Sequence, residues 1–287
     1  RYEAAGKAWN YSWDEIQNFT GGTDWYDAVT RNGQIQDYNL SVSGSGKKSN
    51  YLISLGYMGN DGIVKNNDYN RTSGRINLDQ TFSKYFKGGI TVSYSHIKSN
   101  DVPISGKSGS TTLFMAVRKY DPTIPIRDEN GNYALGRIYG LAQNPASILD
   151  ATILTQKDNL LTSAFLDIMP AKGLVVKTTV GYDRKFASTG AYFPMTTQEG
   201  INANGGIAKI NENNLSNYYI NMTATYNKTF ANDHALTLMA GWEYQKVVSE
   251  SLSGENRGFP YDGVKWHNLD LGTYEKPIAS SSKTTDQ

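Results

Sequence analysis

The sequence predicts an all-β fold, a transmembrane antiparallel β-barrel with long extracellular loops, of which about eight strands are present. Three observations predict it: strands with two unlike faces, connections that alternate between short and long, and a composition rich in turn formers. The 287 residues include 28 glycines, 8 prolines and 20 tyrosines. This composition favours many strands and turns over long helices.

The first hairpin, 36–57, sets the pattern of unlike faces. Tyr38, Leu40 and Val42 alternate with small polar residues, and the alternation resumes at Tyr51 after a Gly-Ser-Gly-Lys-Lys turn. Successive side chains on a strand point to opposite faces, so each strand has one apolar face and one small polar face.

Six further strands repeat this alternation, so the sequence predicts five consecutive regions. They are an extracellular loop segment at 1–34, barrel strands one to four at 35–97, a long extracellular excursion with a short helix at 98–157, barrel strands five to eight at 158–245, and an extracellular excursion at 246–287 in which the chain is truncated. Between consecutive strands, short turns alternate strictly with long connections. Every long loop is therefore expected at the same end of the sheet.

The two faces indicate which solvents they meet. The apolar positions hold no charged residue, whereas the opposite positions are mainly Ser, Thr, Asn and Gly, with a few charges such as Arg75 and Lys177. A soluble β-sandwich needs bulky residues inside and many charges outside. In an outer-membrane barrel the apolar face meets lipid, the polar face lines water and the long loops lie outside. The pattern therefore predicts a multi-pass barrel in the bacterial outer membrane.

Composition excludes several other classes. With 28 basic and 27 acidic residues, the chain lacks the basic excess of nucleic-acid-binding proteins. It has no cysteine, which excludes disulfides and cysteine-ligated metal. The longest apolar run, 113–117, has five residues, whereas a transmembrane helix needs about 20. Any membrane role must therefore use strands.

Motifs for catalysis or metal binding are incomplete. The segment 44–49 lacks two required elements of a phosphate-binding loop, and 128–132 lacks the glutamate that closes a calcium loop. His96, His234 and His267 are scattered and lack the spacing of zinc ligands. No GxSxG motif is present. We therefore expect no enzymatic activity, no metal and no cofactor.

Several segments resemble the barrel of SusC/RagA-type TonB-dependent transporters. They are 24–27 (DWYD), the hairpin strands 39–44 and 50–57, 62–65 with 71–78, and, in the long excursion, 120–125, 128–133 and 144–146. The resemblance covers most of the chain. It is specific in the first hairpin block and weaker after residue 184. It implies a barrel of about 22 strands, of which about eight would form roughly a third of the wall.

The resemblance also implies a function. A protein of this family imports nutrients, typically an oligosaccharide or a peptide, together with a SusD-like surface lipoprotein. TonB drives uptake through a plug and a TonB box, neither of which we recognise in this sequence, so we interpret the chain as an interior barrel fragment. Outer-membrane lipid is the remaining expected partner.

Aromatic residues in the predicted extracellular loops are the candidate ligand-binding or partner-binding residues. They are Trp9, Trp13, Trp25, Tyr26, Tyr133, Tyr139 and Trp266. Exposed aromatic side chains are enriched where partners bind, and flat rings suit sugars or peptide side chains. The competing interpretation is that each packs among loops.

Two alternative functions fit the same strand pattern. One is a small eight-stranded outer-membrane barrel with a structural or adhesive role. The other is a secreted carbohydrate-binding β-protein, whose apolar faces would have to be buried.

Overall fold

The computed structural model describes most of the chain, namely residues 12–18, 21–104, 112–135, 143–230, 233–273 and 277–286. These residues form one nine-stranded antiparallel sheet in which each strand pairs with the next along the chain. The strands are β1 (Gln34–Ser45), β2 (Ser49–Asp61), β3 (Asp68–Thr81), β4 (Phe86–Asp101), β5 (Thr152–Ala171), β6 (Leu174–Phe193), β7 (Ile207–Phe230), β8 (His234–Arg257) and β9 (Ile278–Asp286). The antiparallel fold is confirmed, with one strand more than expected.

All helices of the described residues are short and lie in the connections. They are α1 (Trp13–Gln17), α2 (Trp25–Val29), α3 (Leu113–Lys119), α4 (Pro145–Ile148) and α5 (Gln198–Asn202), with two 3-10 turns at Asp262–Val264 and Leu269–Leu271. The helix α3 is the one expected within the excursion at 98–157. Among the described residues, none of these helices has the length and hydropathy needed to cross a membrane.

The pairing register places the predicted apolar positions on one face of the sheet. Leu40 lies opposite Leu55 at one end of the sheet, and Met222 lies opposite Trp242 at the other. A slip of one residue between two strands would exchange the faces of one of them. The observed register therefore keeps the apolar residues of β1 to β8 together.

The exposure of the two faces indicates that the sheet curves with its apolar face outside. Leu55 and Trp242 are 60% and 56% exposed, whereas their neighbours on the opposite parity, Ser54 and Gly241, are small residues. In β2, the residues of Ser54's parity are partly covered and those of Leu55's parity are mostly exposed. Side chains crowd on a concave face and spread on a convex one. We call the apolar convex face the outer face and the polar concave face the inner face.

The strands extend beyond their predicted ends. The block predicted at 158–245 begins earlier, at Thr152, and ends later, at Arg257. The strands β7 and β8 have 24 residues each, or about 80 Å at ~3.3 Å per residue, against a lipid-facing band of ~25 Å. In their long-loop halves, apolar residues lie opposite polar ones, as Leu215 lies opposite Ser249 and Leu252 opposite Glu212. Backbone hydrogen bonds hold those halves together. Because these bonds do not depend on the type of side chain, the sequence there shows no apolar alternation.

The region predicted as an excursion at 246–287 instead contains the end of β8 and all of β9. The strand β9 pairs with β8 from Glu255 opposite Ile278 to Val247 opposite Asp286. Its sequence, IASSSKTTD, has no apolar alternation. Cross-strand polar contacts replace it, such as the ion pair of 2.6 Å between Lys283 and Glu250. Periodicity could not reveal such a strand.

Two small hydrophobic cores lie among the long connections. The first loop core comprises the buried residues Trp25, Val29, Val64, Val102, Leu113, Ala116, Val117, Tyr120, Ile124, Ala134, Ala146 and Ile148. The second loop core comprises Tyr192, Ala208 and Phe259, with Trp266 and Leu269 packed against them. Both cores cap the end of the sheet at which the long connections meet.

Candidate functional site

The outer face carries an apolar belt that crosses β1 to β8. Its exposed members include Leu40, Val42, Ile53, Leu55, Ile76, Leu78, Ile90, Leu166, Val180, Ile220, Met222, Leu238 and Trp242. Monomeric soluble proteins rarely expose a contiguous apolar patch above a few hundred Å². An apolar band on one face of tilted antiparallel strands is the lipid contact of a membrane barrel. The belt is therefore a lipid-facing surface.

Tyrosines mark the edge of the belt nearest the long loops. The rings of Tyr38 and Tyr57 stack with centroids 6.3 Å apart, and those of Tyr182 and Tyr218 lie 4.9 Å apart. A tyrosine has an apolar ring and a polar tip, so it suits the boundary between hydrocarbon and water. These pairs correspond to one aromatic girdle of the barrel.

Polar side chains begin directly beyond this girdle on the outer face. The Tyr94 hydroxyl donates to Asp158, and Oδ1 of Asp158 also lies 2.8 Å from Nδ1 of His96. The next outward position on β4 is Lys98. All of these residues share the outward parity of the belt, so the belt ends here and the strands continue into water.

The inner face is a hydrogen-bonded polar wall. Nε2 of Gln245 donates to Oδ1 of Asn217 over 2.9 Å, and Nδ2 of Asn217 donates to Asp183 over 3.4 Å. Nδ2 of Asn221 donates to Glu243 over 3.1 Å. These contacts tie β6, β7 and β8 together through side chains that can also bind water. Such a face suits a hydrated lumen and would make a poor dry core.

A ladder of alternating charges crosses the inner face near the short turns. Lys87 lies opposite Asp167, which lies opposite Lys177. Nζ of Lys87 is 3.8 Å from Asp79. The two lysine Nζ atoms also lie 5.5 Å and 4.8 Å from the ring centroid of Phe165. The ladder therefore presents both signs of charge and an aromatic ring to the lumen.

Trp25 is a structural residue of the first loop core. It is 4% exposed, its Nε1 donates to the carbonyl of Asp121 over 3.1 Å, and its ring meets Tyr120 edge-on with centroids 4.9 Å apart. Asp24 positions it, because the Asp24 carboxylate accepts hydrogen bonds from the backbone N–H groups of Tyr26 and Asp27 at the start of α2. Trp25 therefore cannot form an exposed binding platform in this structure.

Tyr133 joins two segments of the long excursion. Its hydroxyl donates to Oδ1 of Asp150 over 3.0 Å, and the Arg127 guanidinium lies 4.4 Å from its ring centroid. Burial, followed by the nearby Asp150 carboxylate, raises the pKa of Tyr133 to about 12. Its ring and hydroxyl are both engaged within the protein.

The remaining candidate aromatics have different surroundings. Trp13 and Tyr26 are 72% and 52% exposed, so both are accessible to a partner. Trp9 and Tyr139 lie outside the described residues. The binding roles of these four residues stay predictions.

The second loop core places Trp266 against the outer face. The Tyr192 hydroxyl donates to Asp262 over 2.8 Å, and the rings of Tyr192 and Phe259 meet edge-on at 5.8 Å. These contacts fold the connection between β8 and β9 back over the sheet. A Cβ built on Gly190 would lie 2.1 Å from the Trp266 ring, so only glycine lets the indole approach β6 so closely.

Trp266 lines a cleft of about 490 Å³ on the outer surface. The other lining residues are Asp68, Asn70, Lys98, Asn100, Thr152, Leu154, Lys265 and His267. They come from β3, β4, β5 and the connection between β8 and β9. Residues up to about 200 positions apart meet here, and no spacing rule in the sequence predicts such a meeting.

A metal site is not found in the part of the chain that the structure describes. Those residues contain no group of three or more His, Cys, Asp or Glu side chains placed to hold an ion.

The chain is similar to much longer proteins. TonB-dependent receptor P3 of Formosa agariphila is 28% identical over 280 residues, which cover 96% of this chain and 28% of the relative. SusC of Bacteroides thetaiotaomicron is 29% identical over 115 residues, which cover 40% of this chain and 11% of that receptor. The chain thus spans little more than a quarter of the first of these relatives. No family model matches it.

Solved structures show the same fold. The structure of the RagAB peptide transporter matches with a TM-score of 0.75 at 20% sequence identity, over 92% of this chain and 30% of that chain. The RagAB peptide importer in its open-open state matches with a TM-score of 0.72 at 21% identity, over 92% of this chain and 30% of that chain.

Fold and faces together define the class: an arc of the wall of a transmembrane β-barrel. The more particular resemblance, to the barrel of SusC/RagA-type TonB-dependent transporters, is confirmed by the named relatives and by the shared fold.

Proposed function

We propose that this chain forms part of the barrel wall of a TonB-dependent importer in the bacterial outer membrane. The observation that carries the proposal is one sheet with an apolar belt outside and a hydrogen-bonded polar wall inside. The apolar belt contacts lipid, and a hydrated solute can pass along the polar wall. The curated relatives are named as TonB-dependent receptors or SusC, and the matching structures as a peptide transporter or importer.

The substrate class is an oligosaccharide or a peptide. The inner face offers amides, hydroxyls and a few charges of both signs, which can exchange hydrogen bonds with either kind of chain. The name RagAB peptide transporter supports a peptide. The aromatic residues Trp13 and Tyr26 at the long-loop end would contact the arriving substrate or its carrier.

The resemblance implies two protein partners, and we place one at each end of the sheet. The two loop cores form a packed cap at the long-loop end, which we assign to contact with a SusD-like lipoprotein on the cell surface. At the opposite end, the ladder of Asp79, Lys87, Asp167 and Lys177 faces the lumen, where a plug that TonB moves would pass. Similarity to transporters and receptors also argues against an enzyme.

The two alternatives are less well supported. A secreted carbohydrate-binding protein would have to cover the exposed belt, of which Leu40 and Leu55 are 66% and 60% exposed. A small adhesive barrel is disfavoured because the inner side chains are too small to fill a narrow cylinder.

Uptake by cells tests the proposal. Cells that lack the protein should lose accumulation of labelled oligosaccharides or peptides, and a plasmid copy should restore it. Accumulation should also stop when a protonophore collapses the proton gradient that powers TonB. Accumulation that is independent of the protein, or that survives the protonophore, would contradict the proposal.

A further inference from the structure

We propose that the outer-surface cleft around Trp266 binds an acidic sugar, as a second site separate from the lumen. All of its strand residues have the outward parity of the lipid-facing belt: Asp68 and Asn70 on β3, Lys98 and Asn100 on β4, and Thr152 and Leu154 on β5. The cleft therefore opens away from the lumen. The inference rests on the orientation of the sheet and does not require import through it.

The height of the cleft places it just outside the membrane. Leu154 is six residues beyond Leu160, the belt residue opposite Tyr94. At ~3.3 Å per residue and a tilt of ~40°, this corresponds to about 15 Å along the membrane normal. The headgroup region is only about 5–8 Å thick. A simple phospholipid ends below the cleft, whereas a soluble glycan or a glycolipid with several sugars can enter it.

The indole of Trp266 forms one wall of the cleft and is positioned by contacts within the protein. Trp266 packs on Gly190 on one side and against the second loop core. Its neighbour His267 lies with its ring centroid 5.3 Å away. Because these contacts fix the indole without a ligand, a sugar ring that stacks on it orders little additional structure.

Polar groups surround this wall at short range. Nζ of Lys265 lies 3.3 Å from Oγ1 of Thr152. Nδ2 of Asn100 donates to the carbonyl of Asn66 over 2.8 Å, whereas Oδ1 of Asn100 is buried and has no partner among the described residues. A ligand hydroxyl could donate to that oxygen, which would remove the cost of leaving it unsatisfied.

The charge balance of the cleft favours an anion. Lys98 and Lys265 both line it. Asp68, the one carboxylate among the described lining residues, forms an ion pair with Arg31, so its charge is compensated within the protein. An aromatic wall, amides and two lysines that form no ion pair among the described residues together match a sugar that carries a carboxylate or a phosphate. The volume of about 490 Å³ lies within the usual range for small-molecule sites.

Binding to the full-length protein purified in detergent tests this site. The soluble probes are a trisaccharide of galacturonate and the neutral maltotriose. The membrane probes are nanodiscs containing a glycolipid with a phosphorylated disaccharide headgroup, and nanodiscs of phosphatidylglycerol. We expect at least one of the two acidic probes to bind. The galacturonate trisaccharide, if it is the ligand, should bind about tenfold more tightly than maltotriose, and the glycolipid about tenfold more tightly than phosphatidylglycerol. Binding by only one identifies the source of the sugar.

Three variants assign any binding to the cleft. Trp266→Ala removes the aromatic wall, and Gly190→Ala displaces the indole without removing it. Both should weaken binding by about tenfold. Phe82→Ala, at an exposed aromatic residue in the short turn between β3 and β4, at the opposite end of the sheet from the cleft, should leave binding unchanged. Heat-modifiability on gels verifies that each variant is assembled, and uptake should persist in both cleft variants.

The opposite results overturn the inference. They are no binding of either acidic probe, equal binding of acidic and neutral probes, or unchanged affinity in assembled Trp266→Ala protein. Loss of uptake in an assembled cleft variant would instead contradict the separation of this site from the lumen.

Discussion

The apolar belt and the first loop core use the same kinds of side chain in opposite ways. In the belt, Leu40 is 66% exposed, whereas Leu113 and Val29 of the loop core are fully buried. Backbone hydrogen bonds between the strands stabilise the belt, so its side chains are free to contact lipid. The loop core lies in the aqueous part of the molecule and is stabilised by side-chain packing. The comparison shows that the surrounding solvent, and not hydrophobicity alone, decides where an apolar residue lies.

Deleting the excursion from Pro103 to Ala146 should have the largest effect. The deletion removes α3 and most of the buried members of the first loop core, so that core is lost while the belt is untouched. We expect uptake or capture of the surface lipoprotein to be abolished, with the barrel still inserted. Transport assays and co-purification measure this. A correctly inserted mutant with normal uptake and normal capture would remove this role from the excursion.

Replacing Trp25 with alanine should open a cavity in the same core. Loss of a buried tryptophan typically costs about 3–5 kcal/mol, here in the local stability of the cap. Limited proteolysis of intact cells should then cleave the 112–135 region faster. Trp13→Ala is the matched control, because Trp13 is 72% exposed. Equal protease resistance of the two variants would show that the core does not stabilise the cap.

The two faces of β5 permit the sharpest test of the belt. Leu166 has the outward parity and Ser163 the inward parity. An arginine near the membrane midplane on the lipid face costs about 2–4 kcal/mol, and one in the lumen much less. Leu166→Arg should impair assembly in heat-modifiability gels, whereas Ser163→Arg should assemble. The reverse order would mean that the faces are inverted.

Tyr133→Phe should have a smaller effect on the cap. The variant loses the hydrogen bond of 3.0 Å to Asp150 and keeps the ring against Arg127. A single hydrogen bond contributes about 0.5–1.5 kcal/mol, or somewhat more to a charged acceptor. A modest rise in the proteolysis rate near 127–133 should result, and the exposed Tyr26→Phe should show none. An effect as large as that of Trp25→Ala would contradict this ranking.

The smallest effect is expected from the half-buried Glu199 in α5. Burial raises its pKa above the ordinary value for glutamate, so the folded state holds the proton more tightly than the unfolded state. Its stabilising effect is present below the unfolded-state pKa and is lost as the pH rises through the folded-state pKa. Glu199→Gln should remove this local pH dependence. Hydrogen exchange at α5 measures this local stability at each pH. Identical pH profiles for the unaltered protein and the Glu199→Gln variant would contradict the prediction.

Most of the sheet inside the lipid band was predictable, but most of the site was not. Alternation at Leu40, Leu55 and Trp242 identified the outward face because lipid imposes a strict period of two on the strands. Beyond the band both faces meet water, so the constraint disappears. For that reason the sequence predicts a loop where the structure has β9, whose sequence is IASSSKTTD.

The aromatic candidates show the same division. The sequence indicated that Trp25 and Trp266 lie in long connections, but it could not distinguish a core residue from a cleft residue. That distinction depends on distant partners: Tyr120 and Asp121 for Trp25, and Gly190 for Trp266.

The antiparallel strands, their two faces and the family resemblance can be predicted from the amino-acid sequence, because they depend on neighbouring residues and on the surrounding solvent. The ninth strand, the two loop cores and the outer cleft become visible only in the folded chain. Each of these needs contacts between segments far apart in the chain, and the free energy of such contacts leaves no local periodicity in the sequence.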